Sequence, residues 1–261
     1  MSSLPIGFFD SGIGGLSLWK SIKKLIPNEN SIYLSDSINC PYGGKTNDKL
    51  NEICIKNTEF LIDKGCKIIV IACNTATTNS ISLLRKKYNI PFIGIEPAIK
   101  PAALMSKTKK IGILATKGTL SSNLFSKTSS NYSSEINMIT KDGEGLVKLI
   151  EKGIFKGPKI DLILKKSLDP MINFGIDQLV LGCTHYPLVK KSIKKIITNK
   201  ISIVDCNDAV ALQTKKILKK NDILNLDNII RENHIFYNSG NTNLIIKKIL
   251  NNKYEIYNFG E

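Results

Sequence analysis

Short β-prone runs alternate with stretches of helical period along the whole chain, and this alternation narrows the fold more than any other feature. The runs are Ile6–Phe9, Ser31–Ser35, Lys67–Ala72, Phe92–Ile95, Lys110–Leu114, Gln178–Gly182, Ile201–Asp205 and His234–Tyr237. Helical periods occupy Leu16–Ile26, Asp48–Lys64, Thr77–Tyr88, Leu188–Thr198 and Asp208–Lys220. Strands separated by helices of this length predict βαβ units, hence an α/β fold with mainly parallel sheets. The run IIVIA at 68–72 is apolar without alternation, as expected of a strand covered on both faces. Ligands on such sheets bind beyond the C-terminal strand ends, so the loops there are the places to look for function.

The chain also repeats itself. FLIDKGCKIIVIACNT (60–75) aligns without a gap on PMINFGIDQLVLGCTH (170–185), sharing Ile62/Ile172, Gly65/Gly175, Val70/Val180 and Cys73/Cys183. IGFFDSGIGGLS (6–17) aligns in the same way with IGILATKGTLSS (111–122). Two pseudo-symmetric α/β halves are expected. Residues 1–96 together with 207–261 would form the first domain, carrying Cys73, and 97–206 the second, carrying Cys183. The active site would lie in the cleft between them.

Each of the two repeated cysteines falls where a buried strand ends and a helix begins. A helix N-terminus offers unpaired N–H groups and positive potential, which favour a thiolate and an anionic ligand. Taken singly, either cysteine reads as a small buried strand-end residue. Taken as a pair, they would stand on opposite sides of one ligand. A carbon flanked in that way can be inverted: one thiolate removes its proton and the other thiol returns one from behind.

Composition excludes several classes. No apolar run approaches the ~18 residues of a membrane span, and the N-terminus lacks the pattern of a signal peptide. The six cysteines (40, 54, 66, 73, 183, 206) form no CxxC pair, which argues against a disulfide scaffold and a zinc or thioredoxin-type motif. A reduced, cytoplasmic protein is expected. The net charge of +15 comes from lysines spread along the chain, with only Arg85 and Arg231 as arginines. Most lysine pairs follow apolar helical stretches, so no specific nucleic-acid partner is expected; charge alone accounts for weak binding at low salt.

The quartet FDSGIGG (9–15), PYGGKT (41–46), ACNTAT (72–77) and LGCTHYPL (181–188) resembles the glutamate racemases, cofactor-independent members of the aspartate/glutamate racemase superfamily. The resemblance implies interconversion of L- and D-glutamate without pyridoxal phosphate or metal, supplying D-glutamate for peptidoglycan synthesis. It implies Cys73 and Cys183 as the two acid/base thiols, with Cys73 the base on D-glutamate and Cys183 the base on L-glutamate. Cys40, Cys54, Cys66 and Cys206 are then dispensable. It places substrate contacts at Asp10, Ser11, Tyr42, Gly43, Asn74, Thr75, Thr184 and His185, with Thr116 and Thr119 added from GILATKGTLSS. Asp10 is expected to act through its charge beside Cys73. His185 is expected to exchange protons near neutrality beside Cys183, because an ordinary imidazole titrates at ~6.5. The segment KDGEGLVKLIE (141–151) departs from the family pattern, and Glu151 matches the family's helix glutamate there. A homodimer is compatible with the resemblance.

Other readings are an aspartate racemase or another superfamily member acting on a related small carboxylate, and a binding module, which leaves the paired cysteines unexplained. A dinucleotide-binding oxidoreductase is a further alternative, since Gly12, Gly14 and Gly15 follow the first strand and Asp36 ends the second. Its G-x-G-x-x-G fingerprint is not met, because Ser17 stands where the third glycine should be.

Overall fold

The structure is a computed structural model and describes residues 2–227 and 233–260. The first half runs β1 (Ile6–Asp10), α1 (Leu16–Leu25), β2 (Ser31–Ser35), α2 (Asn47–Asp63), β3 (Ile68–Ile71), α3 (Asn74–Lys87) and β4 (Phe92–Gly94). After α4 (Ile99–Met105) come β5 (Lys110–Ala115), α5 (Lys117–Leu120), α6 (Asn123–Ser130), β6 (Asn137–Asp142), α7 (Leu146–Glu151) and α8 (Pro158–Phe174). The chain continues through β7 (Gln178–Gly182), α9 (Lys190–Ile196), β8 (Ser202–Val204), α10 (Asn207–Lys220), β9 (His234–Asn238), α11 (Asn243–Ile249) and β10 (Ile256–Asn258). Among the described residues every strand pairing is parallel.

The strands form two sheets, ordered β10-β9-β2-β1-β3-β4 and β6-β5-β7-β8. The four strands β2-β1-β3-β4 are thus mirrored in connectivity by β6-β5-β7-β8. Register follows the repeat: Ile6 pairs with Ile68 as Ile111 pairs with Gln178, and Ile69 with Phe92 as Leu179 with Ile203. The matched glycines have a backbone cause. Gly65 and Gly175 follow α2 and α8 with φ of 76° and 85°, the left-handed region in which a helix is ended with no Cβ penalty.

Successive β1 side chains feed two cores, as the two-residue period of a strand requires. Ile6 and Phe8 join a cluster with Trp19 and Ile22 of α1 that continues through Ile113, Val180 and Leu164 of the second half. Phe9 points to the other face, among Ile69, Leu61 and Leu84 under α2 and α3. The last segment returns to the first half: α10 packs on α1, and β9 extends the first sheet beside β2.

Two strands are absent from the sequence reading, β6 and β10, and both lie at sheet edges. β6 (NMITKD) is exposed or half-buried throughout, so it needs no apolar run, and polar edge strands resist pairing with other chains. The expected helix Leu188–Thr198 is a 3₁₀ turn, Tyr186–Val189, followed by α9. The lysine pairs divide. Lys23-Lys24, Lys86-Lys87 and Lys247-Lys248 stand in last helical turns, whereas Lys190-Lys191 opens α9 and Lys215-Lys216 lies inside α10. Arg85 donates to the Phe92 carbonyl at 3.0 Å, a structural bond between α3 and β4, and Arg231 lies outside the described residues.

Candidate active site

β1 and β3 of the first sheet and β7 of the second end at one nearly closed pocket with about 10 Å³ of free space. Cys73 follows β3 and Cys183 follows β7, and both thiols line it, 5% and 6% exposed. Around them stand Ser11, Tyr42, Gly43, Asn74, Thr75, Thr116, Thr184 and His185, with Pro41 and Val147. His185 is the one ionisable side chain in that lining besides the thiols and Tyr42. Any carboxylate held there therefore meets amide and hydroxyl donors.

Two expected contact residues stand behind the lining. Asp10, the last residue of β1, has no exposed surface; its Oδ2 accepts the Gly15 N–H at 2.7 Å. That bond ties the glycine turn back to the strand and leads into α1. Ser11 donates to Asp10 Oδ1 at 3.4 Å and lies 3.9 Å from the Cys73 sulfur. Asp10 thus faces the pocket through Ser11 and Cys73. Thr119 is fully buried, and its hydroxyl lies 3.3 Å from that of Thr75 and 3.1 Å from that of Thr116. Thr75 and Thr116 are themselves 2.8 Å apart, so three hydroxyls bridge α3 of the first half to α5 of the second. Asn79 adds a bond to the Gly118 carbonyl at 3.0 Å.

Tyr42 lines the pocket, yet its phenol is turned away: it donates to Asp36 at 2.6 Å and accepts from Asn57 at 2.9 Å. Asp36, which imitates a ribose-binding acid in sequence, is spent on Tyr42, Asn39 and Ser239.

On the Cys183 side, His185 is a relay. Its Nδ1 lies 3.8 Å from the Cys183 sulfur, and its Nε2 lies 2.5 Å from Oε1 of Glu151, the last residue of α7. The same oxygen accepts the Ile13 N–H at 2.8 Å, so Glu151 ties the glycine turn of the first half to the histidine of the second. A Cβ on Gly14 would stand 2.6 Å from His185 Nδ1, which explains a glycine at that position.

Electrostatics differ from the sequence expectation for the two helpers. Burial pushes the Asp10 carboxyl up from 3.8 to about 6, against the opposing pull of His185 and the Gly15 N–H. Burial alone would lower His185, but hydrogen bonds to Cys183, Cys40 and Glu151 outweigh it and hold the imidazolium well above its usual range. Burial thus moves the Asp10 carboxyl towards neutrality, while the partners of His185 favour its charged form. Burial and the Asp10 charge hold Cys73 well above the ordinary thiol range, opposed by the Ala76 N–H at the start of α3; the Cys183 charge raises it further. A charge on Cys183 thus favours the neutral thiol of Cys73.

Sequence reasoning does not find Val147, Cys40 or the Asp36–Tyr42 bond. No motif marks them, since each depends on which loops the fold brings together.

The family described as Asp/Glu/Hydantoin racemase matches residues 20–214. A glutamate racemase of Clostridium novyi is 42% identical over 248 residues, 95% of this chain and 96% of that protein. The crystal structure of glutamate racemase isoform RacE1 from Bacillus anthracis superposes with a TM-score of 0.88 at 29% identity, covering 99% of this chain and 97% of that one. The glutamate racemase of Francisella tularensis in complex with D-glutamate gives 0.85 at 29% identity, covering 98% of each chain. With two thiols at the mirrored ends of a duplicated sheet and this agreement over nearly its full length, the chain belongs to the Asp/Glu/Hydantoin racemase family.

Proposed function

We propose that the protein interconverts L- and D-glutamate by a two-base mechanism, supplying D-glutamate for peptidoglycan. The observation that carries this reading is that Cys73 and Cys183 line one small pocket from opposite halves. The relatives named glutamate racemase, one of them solved with D-glutamate, support glutamate over shorter or cyclic substrates.

The substrate α-carbon sits between the sulfurs. Starting from L-glutamate, Cys183 as thiolate removes the α-proton, with the ring of His185 3.8 Å from its sulfur. The carbanion is neutralised on its opposite face by the thiol proton of Cys73. Cys73 is left as thiolate, and Asp10 near pH 6 is placed to restore its proton through Ser11. The reverse reaction exchanges the roles of the thiols. The amides of Asn74 and Thr75 opening α3, the Thr184 segment and the Ser11 and Thr116 hydroxyls hold the carboxylates. Tyr42 and Gly43 contribute backbone and ring surface. No cofactor or metal takes part in these steps.

Residues 1–96 with 207–261, and 97–206, are the two domains of this reading; membership of the strands in the two sheets supports the division. Among the described residues no helix is long and apolar enough to cross a membrane, and a cytoplasmic location fits consumption of D-glutamate by wall-precursor synthesis. A homodimer fits the exposed Leu104 and Met105 at the end of α4 and is read by sedimentation.

The test is Cys73→Ala and Cys183→Ala. Each should lower turnover in both directions by at least the ~10²–10⁴-fold that a general acid–base group contributes. Near-normal turnover of either variant would overturn the assignment.

A further inference from the structure

We propose that Cys40, Glu151 and His185 form a site for one Zn²⁺ ion and that its occupation inhibits the protein. The three ligand atoms, a thiol sulfur, a carboxylate oxygen and a ring nitrogen, lie within 4.8 Å of one another. A tetrahedral Zn²⁺ holds S, N and O ligands at ~2.0–2.3 Å, hence roughly 3.3–3.7 Å apart, so the widest pair must close by about 1 Å. Thiolate, imidazole and carboxylate together select Zn²⁺ over Mg²⁺ or Ca²⁺, which prefer oxygen alone. Three protein ligands leave the fourth position to water.

Independent features favour an ion here. Glu151 Oε2 is buried with no hydrogen-bond partner, while Oε1 serves His185 and Ile13. Cys40 is half-buried, on the loop following β2, which gives an ion a way in from solvent. Its sulfur lies 3.9 Å from Ser11 Oγ. No sequence spacing marks the cluster, because Cys40 comes from the first half and Glu151 and His185 from the second.

On binding, Zn²⁺ displaces the Cys40 thiol proton and the proton held between His185 and Glu151; both leave to solvent. Two consequences follow. The ion takes the place of the proton between His185 and Glu151, which breaks the relay behind Cys183, and it ties the halves together across the cleft through which substrate must enter. The inhibitory consequence rests on the two-base reading; the binding itself does not.

The experiment titrates the reduced protein with Co²⁺ and then Zn²⁺. We expect one Co²⁺ per chain with a thiolate-to-cobalt charge-transfer band, lost on adding Zn²⁺. Cys40→Ser should abolish the band and weaken Zn²⁺ binding at least tenfold, as even loss of an outer-shell partner costs ~10–100-fold. In the unmodified protein Zn²⁺ should protect Cys40 from alkylation, mapped peptide by peptide, and this decides the matter should the variant not fold. Glutamate turnover should fall with Zn²⁺ in the unmodified protein and return on adding a chelator, while the turnover of Cys40→Ser, relative to its own metal-free rate, resists the ion. A band that survives Cys40→Ser, protection falling on Cys73 or Cys183, or no binding would overturn the site. Binding without loss of turnover would overturn the inhibition. A chain that binds Zn²⁺ at Cys40 but never racemises glutamate would fail the functional reading and leave the site standing.

Discussion

Asp10 has no exposed surface, and a carboxylate without water around it binds its proton more tightly. The native state keeps that proton up to about pH 6, whereas the unfolded chain releases it near 3.8. Between these values the native state binds more protons, so the contribution to stability is present below pH 4 and lost as pH rises through 6. A gap of about two units corresponds to ~3 kcal/mol. Asp10→Asn removes the titration but keeps an acceptor for the Gly15 N–H. Denaturant melts at pH 4 and pH 7 should therefore show the variant gaining about 3 kcal/mol relative to the unmodified protein, together with loss of turnover. An unchanged difference between the two pH values would show that Asp10 is an ordinary carboxylate.

At the scale of elements, the glycine turn between β1 and α1 shapes the site from a distance. Beyond Ser11, Gly14 touches His185 and the Ile13 N–H holds Glu151. Gly14→Ala should displace the imidazole and lower kcat by about 10²–10⁴-fold, the worth of the relay, while circular dichroism stays unchanged. A variant with normal kcat would free His185 from that role. The sequence shows this turn, the paired cysteines and eight of the ten strands, because each is encoded locally as an apolar run or a glycine cluster. It misses β6 and β10, edge strands that bury little. It cannot show that Tyr42 turns its phenol onto Asp36 or that Thr119 stands behind Thr75, since both depend on contacts between distant segments. Nor does it show the shifts of Asp10 and His185, since reference pKa values describe exposed groups and both residues are buried.

Over the whole molecule, two sheets of like connectivity meet at their C-terminal edges, and the pocket lies where they meet. With both thiols nearly closed off from solvent, glutamate enters only when the halves part. The hydroxyls of Thr75, Thr116 and Thr119 fasten them. Thr119→Val keeps the shape and removes the buried hydroxyl. It should cost about 1–2 kcal/mol in stability, the worth of one or two hydrogen bonds, and raise KM more than it lowers kcat, because Thr75 and Thr116 each lose one of their two hydroxyl partners. Thermal denaturation and steady-state kinetics check both; a variant altered in neither would show the fastening to be incidental.

The central claim is that two different groups handle the proton on opposite faces of one carbon. It is tested most directly in heavy water, starting from L-glutamate and stopping within the first few per cent of conversion. Deuterium at the α-carbon is then measured separately in each enantiomer by mass spectrometry. D-glutamate should carry solvent deuterium and recovered L-glutamate almost none, since the donor to the new face has exchanged with solvent. Deuterium appearing in L-glutamate as fast as in D-glutamate would mean one base serving both faces, and would contradict the pairing of Cys73 with Cys183.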